Sequence, residues 1–244
     1  MPLQIIGLTG GIACGKSAFS SIAASHGLRV IDMDEVARRV VQPGQPAHDA
    51  IMAVFGPAAL LPDGKLDRAK IGEMVFADCN KRRALNAATH RPMLVQLLAD
   101  LGAALAAGEQ AVLIDAPLLY ETGLHWLCAH VIVVSVSEAT QLSRLKGRDG
   151  FSDDEARRRV ASQMPLAKKV LKADTVVENE GDAATLRTSA EEALRAAGAV
   201  ATPNGGAGLA RRPRTRFVVV DFLLWIILSF LRFLGVRPLP RAAL

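Results

Sequence analysis

Aromatic side chains are scarce in this 244-residue chain: eight Phe, two Trp and one Tyr, 5% of the total. Half of the residues are hydrophobic, so there is still ample material for the core of one domain of ordinary size. Cysteine is scarce as well. Cys14, Cys79 and Cys128 have no metal-ligand spacing, and an odd count of three argues against a disulfide framework and for a reducing compartment. The sequence has no internal repeat, which excludes a solenoid. It also lacks a basic-then-apolar leader, so no secretory signal is expected. Basic charge is missing from the body of the chain. The formal net charge of +5 comes from residues 211–244, which carry seven Arg and one acid, Asp221. The first 210 residues hold 22 Lys and Arg against 23 Asp and Glu. That balance argues against a nucleic-acid-binding body.

What is present is concentrated near the N-terminus. Gly10-Gly11-Ile12-Ala13-Cys14-Gly15-Lys16-Ser17 fits the phosphate-loop pattern G-x-x-x-x-G-K-[ST]. The apolar run Leu3 to Thr9 predicts a buried strand leading into it, and a helix is expected from Lys16 to Ser25. The chemistry needs this arrangement. Glycines let the backbone curl so that successive N–H groups share one centre, and the helix N-terminus adds positive partial charge. Lys16 adds a full charge, and the Ser17 hydroxyl can hold Mg²⁺. The Cys14 thiol, next to a helix N-terminus, is expected either to fill the loop as a small residue or to have a lowered pKa.

Leu28 to Asp32 reads as a second short strand ending in Asp32-Met33-Asp34-Glu35. Carboxylates at the carboxyl end of a parallel strand lie on the ligand-binding rim. One of the pair, Asp32 or Asp34, can cap a helix over 35–41. Asp34 is the candidate base. Residues 35–107 read as mostly helical, more helix than one crossover needs, and so as an inserted subdomain covering the site. Within it Asp67 is expected to cap a helix beginning at Arg68. A long helix is expected from about Asn80 to Ala107, interrupted near Arg91-Pro92 just after His90.

Ala111 to Asp115 is an apolar run ending in an acid, the pattern of a central strand. An acid here can hold Mg²⁺ through water. Pro117-Leu118-Leu119-Tyr120-Glu121 continues over the rim. His130 to Val136 predicts a fourth strand, followed by a helix with Arg144 and Arg148. The charge-dense stretch 147–170 reads as a lid whose arginines close over a transferring phosphoryl group. Thr175 to Asn179 is the last strand, and its polar turn lies where an adenine is expected. An Ala-rich helix then runs to about Ala197.

Residues 199–216 read as a flexible basic linker. Residues 217–236 are nearly all apolar and are expected to anchor the protein to an intracellular membrane, with its catalytic domain in the cytoplasm. Of the two forms, a short transmembrane helix is favoured over one lying on the surface.

Together these motifs resemble the dephospho-CoA kinase family over about residues 3–198. Leu8 to Ser17 resembles its phosphate loop, with Ala13-Cys14 in place of the usual Gly-Ser. Val30-Ile31-Asp32-Met33-Asp34 resembles its paired-aspartate motif, and Pro117 to Glu121 its Pro-Leu-Leu-aromatic-Glu segment. Gln163-Met164-Pro165 with Lys169, then Asn179 and Gly181, resembles the lid end and adenine-side turn. His90-Arg91-Pro92 stands where the family has His-Pro.

The resemblance implies ATP-dependent phosphorylation of the ribose 3′-hydroxyl of dephospho-CoA, the last step of coenzyme A synthesis, by a monomer using ATP and Mg²⁺. The fold it implies is an α/β phosphate-loop domain: a parallel five-stranded sheet with helices on both faces, a helical substrate-binding insertion and a lid. Asp34, Lys16 and Arg148 are the expected catalytic residues. Gly10 to Ser17, Arg148 and Asn179 are expected to hold ATP, and Ser17 the metal. Thr9, Asp34, Arg68, His90, Leu118, Tyr120 and Glu121 are expected on the acceptor. The alternatives are a kinase of another small acceptor, such as a nucleoside monophosphate, and a nucleotide-gated membrane adaptor.

Overall fold

The computed structural model describes residues 3–200. Its centre is a sheet of five strands: β1 (Gln4–Gly10), β2 (Arg29–Asp32), β3 (Ala111–Asp115), β4 (His130–Ser135) and β5 (Thr175–Glu178). They run parallel in the order β2-β3-β1-β4-β5. A parallel sheet needs both faces covered, so its central strands β1, β3 and β4 are mostly apolar rather than alternating, while the edge strands β2 and β5 are less buried. All five residues of β3 are buried. The order brings Asp32 opposite Asp115, and Leu8 opposite Asp115 on the other side. Two carboxylates therefore end neighbouring strands at the rim where β1 leaves the sheet.

Helices close both faces. On one, α1 (Lys16–Ser25) and α9 (Ala183–Ala196) pack on each other. Phe19, Leu186 and Leu194 meet Ile6, Leu8, Leu113 and Ile132 there. On the other, α2 (Met33–Arg39) and α5 (Cys79–Ala106) bring Val36, Leu97 and Leu101 against Ile31, Val112, Ile114 and Val133. Burying one such side chain contributes about 1.5–3 kcal/mol, so each face is held by several independent contacts. α3 (Pro46–Phe55) and α4 (Arg68–Ala77) pack on α5 around a smaller core of Ile51, Phe55, Ala59 and Ile71. The Asp67 carboxylate accepts from Lys70 N–H and caps α4, as its sequence predicts.

Two local expectations are corrected. α5 runs without a break from Cys79 to Ala106, with Pro92 inside it. Proline removes one helical N–H donor; here the packing of α5 on α2, α3, α4 and β2 outweighs that local loss. The helix expected over 35–41 begins at Met33, because Asp32 accepts from the N–H groups of Asp34 and Glu35.

The membrane anchor is corrected too. Among the described residues no helix is long and apolar enough to cross a membrane. The segment 217–236, on which the expected anchor and the anchored localisation rested, lies outside those residues, as does nearly all of the linker 199–216.

The remaining helices are α6 (Glu138–Asp149), α7 (Asp153–Ala161) and α8 (Leu166–Val170). Ser137 caps α6, and Ser152 and Glu155 form a reciprocal capping box on α7. These three helices carry the predicted lid residues back over the phosphate loop.

Candidate active site

The loop between β1 and α1 opens into a cavity of about 680 Å³. Gly11 to Ser17 form its floor, and Asp34, Pro117, Arg144, Arg148 and Gln163 stand around it. The volume is that of an ordinary small-molecule site. Glycine is required where the backbone runs close to its neighbours. A Cβ on Gly10 would lie 2.5 Å from the carbonyl oxygen of Val134. Gly15 takes φ +89°, and a Cβ there would meet the Asn179 amide at 2.2 Å. Ala13 stands at φ +60°, the single non-glycine residue with positive φ among the described residues.

The loop's carbonyls are held from outside. Gln141 Nε2 donates to Ile12 O at 2.9 Å, and Arg144 Nη1 to Ala13 O at 3.5 Å. Asn179 Nδ2 donates to Cys14 O at 2.9 Å, and Lys169 Nζ approaches Gly10 O at 3.5 Å. With the carbonyls drawn outward, the amide N–H groups turn toward the cavity. Those of Ala13, Gly15, Lys16 and Ser17 have no protein acceptor among the described residues. Four unpaired donors at a helix N-terminus form an anion cradle. The N–H of Ile12 is taken by Gln163 Oε1 at 3.1 Å.

Lys16 reaches across the loop to Asp115, its Nζ 3.3 Å from Oδ1. Asp115 Oδ2 accepts from the Ser20 hydroxyl at 2.7 Å, while Oδ1 is buried and makes no hydrogen bond. A second, smaller cavity of about 310 Å³ opens between Ser17, Ser20, Asp32 and Asp115. With Asp32 engaged as the α2 cap, Asp34 keeps its carboxylate at the main cavity wall. Desolvation there, then the charge of Asp32, push the Asp34 carboxyl above the usual aspartate range, and Lys16 pulls in the other direction. A carboxylate raised toward neutrality is a better proton acceptor.

The expected site residues divide into two groups. Gly11 to Ser17, Asp34 and Arg148 share the cavity. Arg148 donates through Nε and Nη2 to both carboxylate oxygens of the adjacent Asp149, each at 2.9 Å. Thr9 is buried and its hydroxyl donates to Pro117 O at 3.1 Å. Leu118 is exposed beyond Pro117. Tyr120 is buried, and burial pushes its hydroxyl up to about 12. Arg68 and His90 are exposed on α4 and α5 and do not line either cavity. Glu121 accepts the Met164 N–H at 2.9 Å and pairs with Lys169 at 3.0 Å. Of the two readings of Cys14 the loop-filling one holds: the residue is buried, and burial outweighs the loop N–H groups and nearby cations and raises the thiol pKa.

Gln141, Gln163 and Lys169 act on the loop across more than 120 residues of sequence. No local spacing announces them. The charge density of 147–170 and the resemblance of Gln163 to Lys169 to the lid end pointed toward the region of Gln163 and Lys169, and nothing pointed to Gln141.

Comparison with known proteins agrees with this geometry. The sequence model of the dephospho-CoA kinase family matches residues 4–185. Dephospho-CoA kinase of Geobacillus kaustophilus is 47% identical over 176 residues, which is 72% of this chain and 88% of that one. A Thermus thermophilus crystal structure superposes with a TM-score of 0.71 at 29% identity, covering 80% of this chain and 97% of its own. Dephospho-CoA kinase from Campylobacter jejuni superposes with a TM-score of 0.61 at 27% identity, over 80% and 96% of the two chains. A sheet that places a phosphate cradle opposite a raised carboxylate, together with these matches, makes this chain a member of the dephospho-CoA kinase family.

Proposed function

We infer that this chain transfers the terminal phosphoryl group of ATP to the ribose 3′-hydroxyl of dephospho-CoA, giving coenzyme A and releasing ADP. One observation carries the reading at the level of chemistry: the unpaired loop N–H groups, Lys16 and the raised Asp34 carboxylate face one cavity. The acceptor is supplied by the family to which the chain belongs.

In this reading the N–H groups of Ala13, Gly15, Lys16 and Ser17 bind the β- and γ-phosphate oxygens of ATP. Lys16 leaves Asp115 for those phosphates and neutralises charge on them. Asp34 accepts the proton of the acceptor hydroxyl and orients its oxygen for in-line attack. Arg148 exchanges Asp149 for the transferring group when the lid closes, excluding water. The helices α2 to α5 form the acceptor-binding insertion, from which Arg68 and His90 contact dephospho-CoA in the closed state together with Leu118 and Tyr120 of the turn after β3.

The residues present fit Mg²⁺. Ser17 lines both cavities, and Asp115, whose Oδ1 is held only by the Lys16 ammonium, lines the smaller one beside it. Oxygen donors with room for retained waters are what this ion prefers. When bound it supplies charge neutralisation at the β- and γ-phosphates.

The test is an ATP-dependent assay of the purified full chain across dephospho-CoA and a panel of nucleoside monophosphates. The reading predicts turnover with dephospho-CoA and a product bearing the new phosphate on the 3′-oxygen. Faster turnover with a nucleoside monophosphate, or phosphate elsewhere on the acceptor, overturns it.

A further inference from the structure

Lys169 is 0% exposed, on a short helix in the most charged part of the chain. Its Nζ has three oxygen neighbours from two segments, the end of β1 and the turn after β3. It donates to Pro117 O at 2.6 Å, approaches Gly10 O at 3.5 Å, and pairs with Glu121 Oε1 at 3.0 Å. An ammonium group has three N–H donors, so the protein accounts for all of them and leaves none for a ligand. The Pro117 carbonyl is held a second time, by the Thr9 hydroxyl. Glu121 in turn accepts the Met164 N–H. Its neighbour Gln163 holds the Ile12 N–H of the loop.

Taking an ammonium out of water is costly, and an apolar residue of similar volume often serves stability as well. A buried cation at this place therefore calls for a reason other than stability. Gly10 is where the phosphate loop leaves β1, and Pro117 lines the cavity on the side of the turn after β3. These two carbonyls set the spacing between the cradle and the turn that leads to Leu118 and Tyr120.

We propose that Lys169 is a positioning residue of the phosphoryl-transfer site, locking the Gly10 and Pro117 carbonyls, and through Glu121 the end of the lid, into one frame. It touches neither substrate. The proposal rests on the kinase reading above. Its effect is geometric: a small displacement of the cradle relative to the acceptor costs about a hundredfold in rate.

The experiment compares Lys169→Met, Glu121→Gln and the double variant in the full chain. Thermal unfolding, kcat, both KM values and binding of a non-hydrolysable ATP analogue are measured for each. The single Lys169→Met variant leaves the Glu121 carboxylate, 23% exposed, without its cation and puts nothing on the two carbonyls, so it is expected to lose both stability and turnover. The double variant removes that lone charge. It is expected to unfold within a few degrees of the wild type, yet to keep kcat about a hundredfold down and bind the ATP analogue about tenfold more weakly. Glu121→Gln alone keeps both carbonyl bonds of Lys169 and loosens only the tie to the lid end, so it is expected to lose less kcat than the double variant.

Recovery of wild-type kcat and ATP-analogue affinity in the double variant overturns the proposal, since Lys169 would then serve only to neutralise Glu121. A double variant that fails to fold also overturns it, in favour of a purely structural role. Absence of dephospho-CoA turnover in the wild type defeats the kinase reading instead. The binding measurement separates these failures, because it needs no acceptor.

Discussion

The ammonium of Lys16 lies 3.3 Å from Asp115 Oδ1, at the rim where β1 and β3 end side by side. Lys16 is the charge expected on the phosphates, and Asp115 holds it at the edge of the cradle. Its side chain and that of Asp115 are 15% and 9% exposed, so neither charge is fully hydrated. Lys16→Met is therefore expected to do two things. It lowers kcat by about a hundredfold or more, and it costs about 1–3 kcal/mol of stability by stranding the carboxylate. Lys16→Met with Asp115→Asn separates the two effects: the unfolding temperature recovers while turnover stays down. Thermal unfolding beside a kinase assay reads both.

Ala13 carries backbone strain that glycine would not. At φ +60° its Cβ crowds the backbone, a conformation costing an L-residue about 1–2 kcal/mol. Glycine recovers that cost and loses about 0.4–1 kcal/mol through the freer unfolded chain. Ala13→Gly is expected to raise stability by about 0–1.6 kcal/mol, measured by denaturant unfolding, and to leave the loop N–H donors in place. A loss of stability would show that the Ala13 methyl is held by packing that outweighs the strain.

Glu121 makes stability depend on acid. Burial works to raise its pKa, but the Met164 N–H and Lys169 together bring it below the ordinary value. A depressed carboxylate contributes stability that is present above its unfolded pKa, ordinarily 4.5, and is lost as pH falls through the folded value. Unfolding temperature should fall as the pH drops below about 4.5, and Glu121→Gln should flatten that part of the curve. An unchanged acid limb in Glu121→Gln would assign the loss to other carboxylates.

Arg148 is held by an exposed partner, Asp149. Surface pairs of this kind contribute little, about 0–1 kcal/mol, so phosphates can displace the carboxylate at small cost. Arg148→Ala should lower kcat about a hundredfold, with a smaller change in the KM for ATP. Asp149→Asn should leave kcat within about threefold. Equal losses in both variants would mean that the pair itself, rather than the freed guanidinium, matters.

Much of this site was legible because its chemistry is local. The loop lies between a strand and a helix that its own residues specify, and helix α1 runs over the expected Lys16 to Ser25. Strand β3 matches its apolar run from Ala111 to Asp115. What stayed hidden depends on distant packing. Pro92 reads as a break because a helix considered alone loses a bond there, whereas α5 is held by four neighbouring elements. Lys169 reads as one charge among many in the lid, and only the fold buries it against Gly10 and Pro117. The choice between Asp32 and Asp34 as cap was likewise undecided in sequence. The first turn of α2 settles it, since Asp32 is the one whose carboxylate reaches the next N–H groups.

The account turns on Asp34, a carboxylate at the cavity wall that its surroundings make easier to protonate. The raised pKa means that ionising this group costs the folded state some stability, fully avoided below its unfolded pKa and incurred as pH rises through the folded one. Asp34→Asn should therefore unfold at the same temperature as the wild type or higher at neutral pH. The most direct test is the rate of 3′-phosphorylation of dephospho-CoA by Asp34→Asn at saturating ATP, with ATP-analogue binding measured on the same sample. The account predicts a fall in kcat of about 10²–10⁴-fold with ATP binding retained. Turnover close to that of the wild type would show that the proton goes elsewhere, and would contradict the account at its centre.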